Sequence, residues 1–309
     1  MAINLTDPVF IDETKARAHL ESIRWPDGRP YCPHCGEAEK VYRLHGKSHR
    51  PGLLHCNSCS GSFTVTTGSV MESSHVPLNK WVLAYRLMAS SKKGFSAHQL
   101  HRTIGVTYKT AWFMAHRIRE SMREINPEPL GGEGKFVEAD ETFTGGKAKN
   151  RAYKDPPPKE AVMAFVERGG RVRSFHVPEV TATTLKPIIV DASAKDSHFR
   201  TDESGVYWNI GEQFASHRTV VHSIDEYVRG DAHTNTIEGY FSIFKGIYGT
   251  YHHVSQQHLK RYLAEFDFRY NERVALGVSD TGRTIKAIRG AAGKRLTYRQ
   301  PRGAQSASG

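Results

Sequence analysis

The chain has 309 residues, 38% hydrophobic and 10% aromatic, which is enough apolar material for a sizeable core and roughly two or three domains. Its 43 Lys plus Arg against 32 Asp plus Glu give a formal charge of +11, the balance of a partner for polyanions such as nucleic acid. No run approaches the ~18 apolar residues of a membrane helix, and the opening MAINLTDPVFIDETK lacks the basic-then-apolar order of a signal peptide; both exclude a membrane partner and predict a cytoplasmic protein.

Four cysteines fall in two pairs, CPHC (Cys32, Cys35) and CNSC (Cys56, Cys59), with twenty residues between the pairs. A CxxC turn presents two thiolates to one tetrahedral ion, and two such turns on facing hairpins close the site. A reducing compartment and the lack of any other cysteine argue against disulfides or a redox pair. The spacing predicts a zinc ribbon of short strands over about 28–66, within an N-terminal region 1–75, holding a structural Zn²⁺.

Next, Trp81, Leu83, Ala84, Leu87 and Met88 recur at helical spacing. Ser96 then opens a short helix carrying Leu100, and IGV makes a Gly-containing turn before TYKTAWFMAHRIRESM. Two helices joined by so short a turn match a helix-turn-helix at 76–126, with Thr107, Lys109 and Thr110 leading the helix that would enter the major groove. An ordinary helical hairpin has the same pattern; the net charge and the ribbon favour DNA binding.

The Pro- and Gly-dense NPEPLGGEG, residues 126 to 134, marks a domain boundary. Beyond it KFVEAD reads as a strand ending in Asp140, and EAVMAFVERGGRVRSFHVPEV as two strands joined at Gly169 and Gly170. TATTLKPIIVDAS reads as a helix, SHFRTD as a strand ending at Asp202, GVYWNIGEQF as a helix and HRTVVHS as a last strand, followed by TNTIEGYFSIFKGIYGTY and SQQHLKRYLAEFDFRYNERVAL as helices. That order gives an α/β class: a ribonuclease-H-like domain at 127–280, with a mixed sheet, flanking helices and acids on the ends of its first and fourth strands. GGKAKNRAYKDPPPK, residues 145 to 159, reads as a loop beside them. The segment 281–309 has seven Lys or Arg and no acid, and reads as a mobile basic arm.

Breaking a phosphodiester needs an in-line nucleophile and neutralisation of charge on the phosphate oxygens, which two Mg²⁺ (or Mn²⁺) ions held by carboxylates supply. Asp140 and Asp202 end two neighbouring strands, and Glu238 follows Asp202 with 35 residues between them. Asn235 to Glu238 is one step along a helix face, and Glu238 to Lys245 seven positions, nearly two turns, so the three share a side. On this basis a Glu ligates metal, an Asn ligates or orients the scissile phosphate, and a Lys holds the DNA backbone. Each acid alone also fits a solvated loop or, for Asp202, a helix cap. A tyrosine nuclease using Tyr251 with His252 and His253 as ligands is disfavoured, because adjacent residues do not readily share an ion.

At VEADETFTGGK, FRTDES, HTNTIEGYFSIFKGIYGTYHHVS and HLKRYLAEFDFRYNER the chain resembles the insertion-sequence DDE transposases with an N-terminal zinc ribbon, the ISXO-type family. The resemblance runs from about Tyr31 to Arg273. It implies a bacterial, nucleoid-associated transposase that binds terminal inverted repeats and target DNA as a dimer or larger assembly and performs metal-dependent strand cleavage and transfer. By it Asp140 and Asp202 are the first two catalytic acids. The family's third position is Asn in some members and Glu in others; the spacing and Lys245 favour Glu238, with Asn235 its partner in the site. The competing expectations are a non-catalytic, sequence-specific DNA-binding protein derived from a transposase, and a structure-selective nuclease of the same fold.

Overall fold

The computed structural model describes residues 4–145, 159–221, 228–252 and 254–297. The backbone forms two compact units: residues 1–91, 95–123 and 279–309 compose one, residues 92–94 and 124–278 the other.

In the first unit, α1 (Pro8–Ile11) and α2 (Glu13–Arg24) precede a three-stranded antiparallel sheet of β1 (Val41–Arg43), β2 (Leu54–Cys56) and β3 (Gly61–Phe63). Asp12 caps α2 by accepting from the Thr14 and Lys15 amides. Three helices follow: α3 (Leu78–Ser90), α4 (Ala97–Ile104) and α5 (Tyr108–Met122). Ser96 caps α4 and Thr107 caps α5, each accepting from the amide three residues on. Gly105 ends α4 at φ +62°, a left-handed conformation that glycine adopts without penalty, and this sets the tight turn into α5.

The C-terminal segment corrects an expectation. Residues 280 to 289 are not a mobile arm but a helix, α10 (Asp280–Arg289), packed on α3. Ser279 caps it, and Thr284, Ala287, Ile288 and Ala291 form a buried stripe at helical spacing. Its basic residues include structural ones: Arg283 donates to the Ala89 carbonyl at 3.1 Å, and Lys294, just beyond α10, donates to that of Ser121 at 3.1 Å. Ile288→Ala is expected to cost roughly 2–4 kcal/mol in urea denaturation, because the site is 5% exposed; a mobile arm would lose nothing. Residues 298 to 309 lie outside the described residues.

The second unit is built on a five-stranded mixed sheet of β4 (Phe136–Gly145), β5 (Lys159–Glu167), β6 (Val172–Val177), β7 (His198–Thr201) and β8 (Ser216–Thr219), ordered β6-β5-β4-β7-β8. β4, β5 and β6 pair antiparallel, while β7 pairs parallel to both β4 and β8. The apolar run Ala161 to Val166 is continuous because both faces of the sheet are covered. Ala161, Met163 and Phe165 pack with α6 (Ala182–Ala192) and Phe199. Val162, Ala164 and Val166 pack with α7 (Asn235–Phe244) and α9 (Gln256–Asn271). A short hairpin, β9 (Val228–Arg229) with β10 (Ala232–His233), leads into α7, and α8 (Ile247–Tyr251) links α7 to α9.

Two local expectations differ from the structure. GVYWNIGEQF forms two 3₁₀ turns, Gly205–Tyr207 and Gly211–Gln213, instead of a helix. β4 continues five residues past Asp140 to Gly145, because β5 remains beside it to Lys159. The expected loop between them lies, for 146–158, outside the described residues.

Candidate functional site

The cysteines of the two knuckles converge. Their four Sγ atoms lie within 4.8 Å of one another, with Cys32–Cys59 and Cys35–Cys56 at 3.6 Å. Those separations are far longer than a disulfide and close to the ~3.8 Å edge of a tetrahedron with Zn–S bonds of about 2.3 Å. The donor set fits a closed, structural zinc site.

On β4 the side chains alternate. Val137 and Ala139 face the α6 side, so Glu138 and Asp140 face α7. Parallel pairing of Phe136–Glu138 with His198–Arg200, extended by two residues, sets Asp140 opposite Asp202 just past the end of β7. α7, on the same face as Asp140, carries Glu238 in its first turn. Asp140 is pushed up to about 7, chiefly by burial and further by the negative charges of Glu141, Asp202 and Glu238, against the Glu141 amide that bonds its Oδ1 at 2.8 Å. Asp202 and Glu238 thus both act electrostatically on Asp140.

Each acid is also held in place. Asp202 Oδ1 accepts from the Ser204 amide at 3.0 Å, a local bond just before the Gly205–Tyr207 turn, which itself has no side-chain cap. Glu238 Oε1 accepts from the Thr234 hydroxyl at 2.9 Å. Glu141 receives the hydroxyl of the buried Tyr207, and burial raises its pKa with a further contribution from Asp202.

Asn235 is the first residue of α7 and is exposed, one turn from Glu238. Lys245 is exposed at the C-cap of α7, about 10 Å along the axis from Glu238 at 1.5 Å per residue. Thr107 and Thr110 share a 2.8 Å hydrogen bond and Thr107 also caps α5; Lys109 is exposed between them. His252 ends α8 at φ +59°, and His253 lies outside the described residues.

Sequence reasoning missed Glu138. This carboxylate is fully buried and paired with Arg168 Nε at 2.6 Å. Its position two residues before Asp140 was the available signal: period-two alternation puts both acids on one face. Arg200, on β7, is likewise buried and bonds Asp231 at 2.5 Å, which with Arg218 holds the Asp231 carboxyl down at about 2.

Comparison with known proteins bears on the family of the chain. The family model described as ISXO2-like transposase domain matches residues 129–271, and the model described as transposase zinc-ribbon domain matches residues 11–62. The chain is 30% identical over 277 residues to an uncharacterized protein in transposable element ISH50 of Halobacterium salinarum, covering 84% of this chain and 91% of that protein. A solved chain from the simian T-cell lymphotropic virus intasome in complex with PP2A regulatory subunit B56 gamma is 14% identical over 74% of this chain and 78% of that one, with a TM-score of 0.31, a likeness too slight to carry an argument. The extent and identity of the match to the transposable-element protein, together with both domain models, show that the chain belongs to the insertion-sequence DDE transposases that carry an N-terminal zinc ribbon.

Proposed function

We propose that the protein is an active DNA transposase that binds the terminal inverted repeats of its element and catalyses strand cleavage and strand transfer. The observation that carries this is geometric: the β4–β7 register sets Asp140 opposite Asp202, on the face of the sheet covered by α7, whose first turn carries Glu238. The β6-β5-β4-β7-β8 order, with β6, β5 and β4 antiparallel and β7 and β8 parallel to β4, supports a ribonuclease-H-like reading of the second unit.

Asp140, Asp202 and Glu238 would hold Mg²⁺ or Mn²⁺, since hard cations take carboxylate oxygens and relieve the repulsion among them. Such ions, when bound, neutralise charge on the phosphate oxygens and make water a competent nucleophile at neutral pH. Thr234 keeps the Glu238 carboxylate turned toward the site, and Asn235, one turn away, orients the scissile phosphate. Water displaces the 3′-oxygen of one strand, and the released 3′-OH then attacks a target phosphodiester, expelling its 3′-oxygen. No covalent protein–DNA intermediate is formed.

The α4–Gly105–α5 pair serves as a helix-turn-helix in which Lys109 contacts DNA and Thr107 fixes the start of the helix. Lys245 holds the backbone farther from the scissile phosphate. Repeat binding weakens steeply with salt, as phosphate contacts require. Joining two ends at once calls for a dimer or larger assembly. Among the described residues no helix is long and apolar enough to cross a membrane.

The test uses purified full-length protein, a labelled duplex ending in the repeats that flank the gene, and Mg²⁺ or Mn²⁺. Site-specific nicking and label appearing in a second DNA are expected. Tight binding with no cleavage under either metal would move the non-catalytic DNA-binding reading ahead, and cleavage without transfer would leave a nuclease.

A further inference from the structure

Glu138 differs from the other acids on its face. Both of its oxygens are committed: Oε1 to Arg168 Nε at 2.6 Å and the Thr236 hydroxyl at 2.9 Å, Oε2 to the Thr236 and Ile237 amides at 2.9 and 3.0 Å. The ring Nδ1 of His233 lies 3.2 Å from Oε1. With 0% exposure and this many contacts, Glu138 has no lone pair left for a cation.

Its partners are the point. Thr236 and Ile237 are in the first turn of α7, where backbone N–H groups lack helical acceptors and a carboxylate is favoured by the helix dipole. Arg168, just past the end of β5, completes the clamp by donating to the carbonyls of Asp231, in the turn before β10, and His233, in β10, both at 2.9 Å, in the segment that leads into α7. A carboxylate on the same strand as Asp140, two residues away, therefore fixes the start of the helix that carries Glu238.

We infer that Glu138, clamped by Arg168, is a positioning residue: it docks the first turn of α7 onto β4 and so sets Glu238 at the distance from Asp140 that metal binding requires. This rests on the proposed roles of Asp140 and Glu238. Fully buried, the residue acts through Glu238, whose own orientation is completed by Thr234.

The test measures Mn²⁺ affinity by calorimetry and metal-free repeat-DNA affinity on the full-length protein. Glu138→Gln is expected to weaken Mn²⁺ binding by about 10–100-fold, the usual effect of losing a group that orients a ligand, with DNA affinity changed less than about threefold. Combined with Glu238→Ala it should weaken Mn²⁺ no further than Glu238→Ala alone, because both act through one carboxylate. Unchanged Mn²⁺ binding in Glu138→Gln, or losses that multiply in the double variant, would overturn the inference. Full Mn²⁺ affinity in Glu238→Ala would instead remove Glu238 from the metal site, and the positioning role with it. Should Glu138→Gln not fold, Thr236→Val, which deletes one hydroxyl, is expected to weaken Mn²⁺ binding several-fold while Thr236→Ser restores it. Equal affinities for those two would also overturn the inference.

Discussion

Replacing Asp140 with asparagine is expected to lower repeat cleavage by ~10³-fold or more and, at the same time, to raise the melting temperature of the metal-free protein. The second effect follows from the site's electrostatics. Burial and three neighbouring carboxylates push Asp140 up to about 7, against an ordinary 3.8. A carboxyl whose pKa is raised on folding binds protons more readily in the folded state than in the unfolded one. Its contribution is fully present below about pH 4 and is lost as pH rises through about 7. Asparagine carries no charge at any pH and keeps an oxygen that can accept from the Glu141 amide. The gain is thus largest near pH 8, at about 2 kcal/mol or ~4–8 °C for a unit of this size, and smaller at pH 5, where folded Asp140 is already protonated. Thermal melts at the two pH values, beside a nicking assay, check both halves. A variant that still cuts, or that gains nothing at pH 8, would refute the assignment. An acid whose removal stabilises the fold while abolishing activity is placed for function.

Cys56→Ser should have the other large effect. Cys56 is fully buried at the end of β2, 3.6 Å from Cys35, and its loss leaves three thiolates where a closed site needs four. The three strands of this sheet are each three residues long, too little to stand without the metal. Since structural zinc contributes on the order of 10–16 kcal/mol to such modules, the variant is expected to lose its zinc, to unfold β1–β3 and to bind repeat DNA at least ~100-fold more weakly. One zinc per chain in the parent protein, none in the variant, and a helical signal largely retained from the other elements would be the expected set. Zinc content of zero in the parent would refute the site. Treatment with a strong chelator should reproduce the variant.

Sequence by itself determined the features that rest on local pattern. The CxxC spacing marked the four cysteines that converge, because a knuckle is formed within four residues. Ser96 and Thr107 marked helix starts, because a cap is a bond to an amide three residues on. The unbroken apolar run Ala161 to Val166 fitted a strand covered on both faces. GVYWNIGEQF, by contrast, had enough apolar residues to read as helix, yet its Gly205 and Gly211 open separate 3₁₀ turns that direct Tyr207 inward to Glu141.

Tertiary structure alone decided what required distant residues to meet. The segment after Thr281 carried charge that masked its buried stripe, which α2, α3 and α5 cover in the folded unit. Strand register set Asp140 opposite Asp202, a relation across 62 positions that no local period encodes. The same register separated two acids that look alike in VEAD. Glu138 is enclosed by Arg168 and the first turn of α7, so its charge holds a helix in place, whereas Asp140 lies past the last β4–β7 pair, among the negative charges of Glu141, Asp202 and Glu238. A carboxylate's role follows from its counter-charge, and counter-charges are brought by the fold.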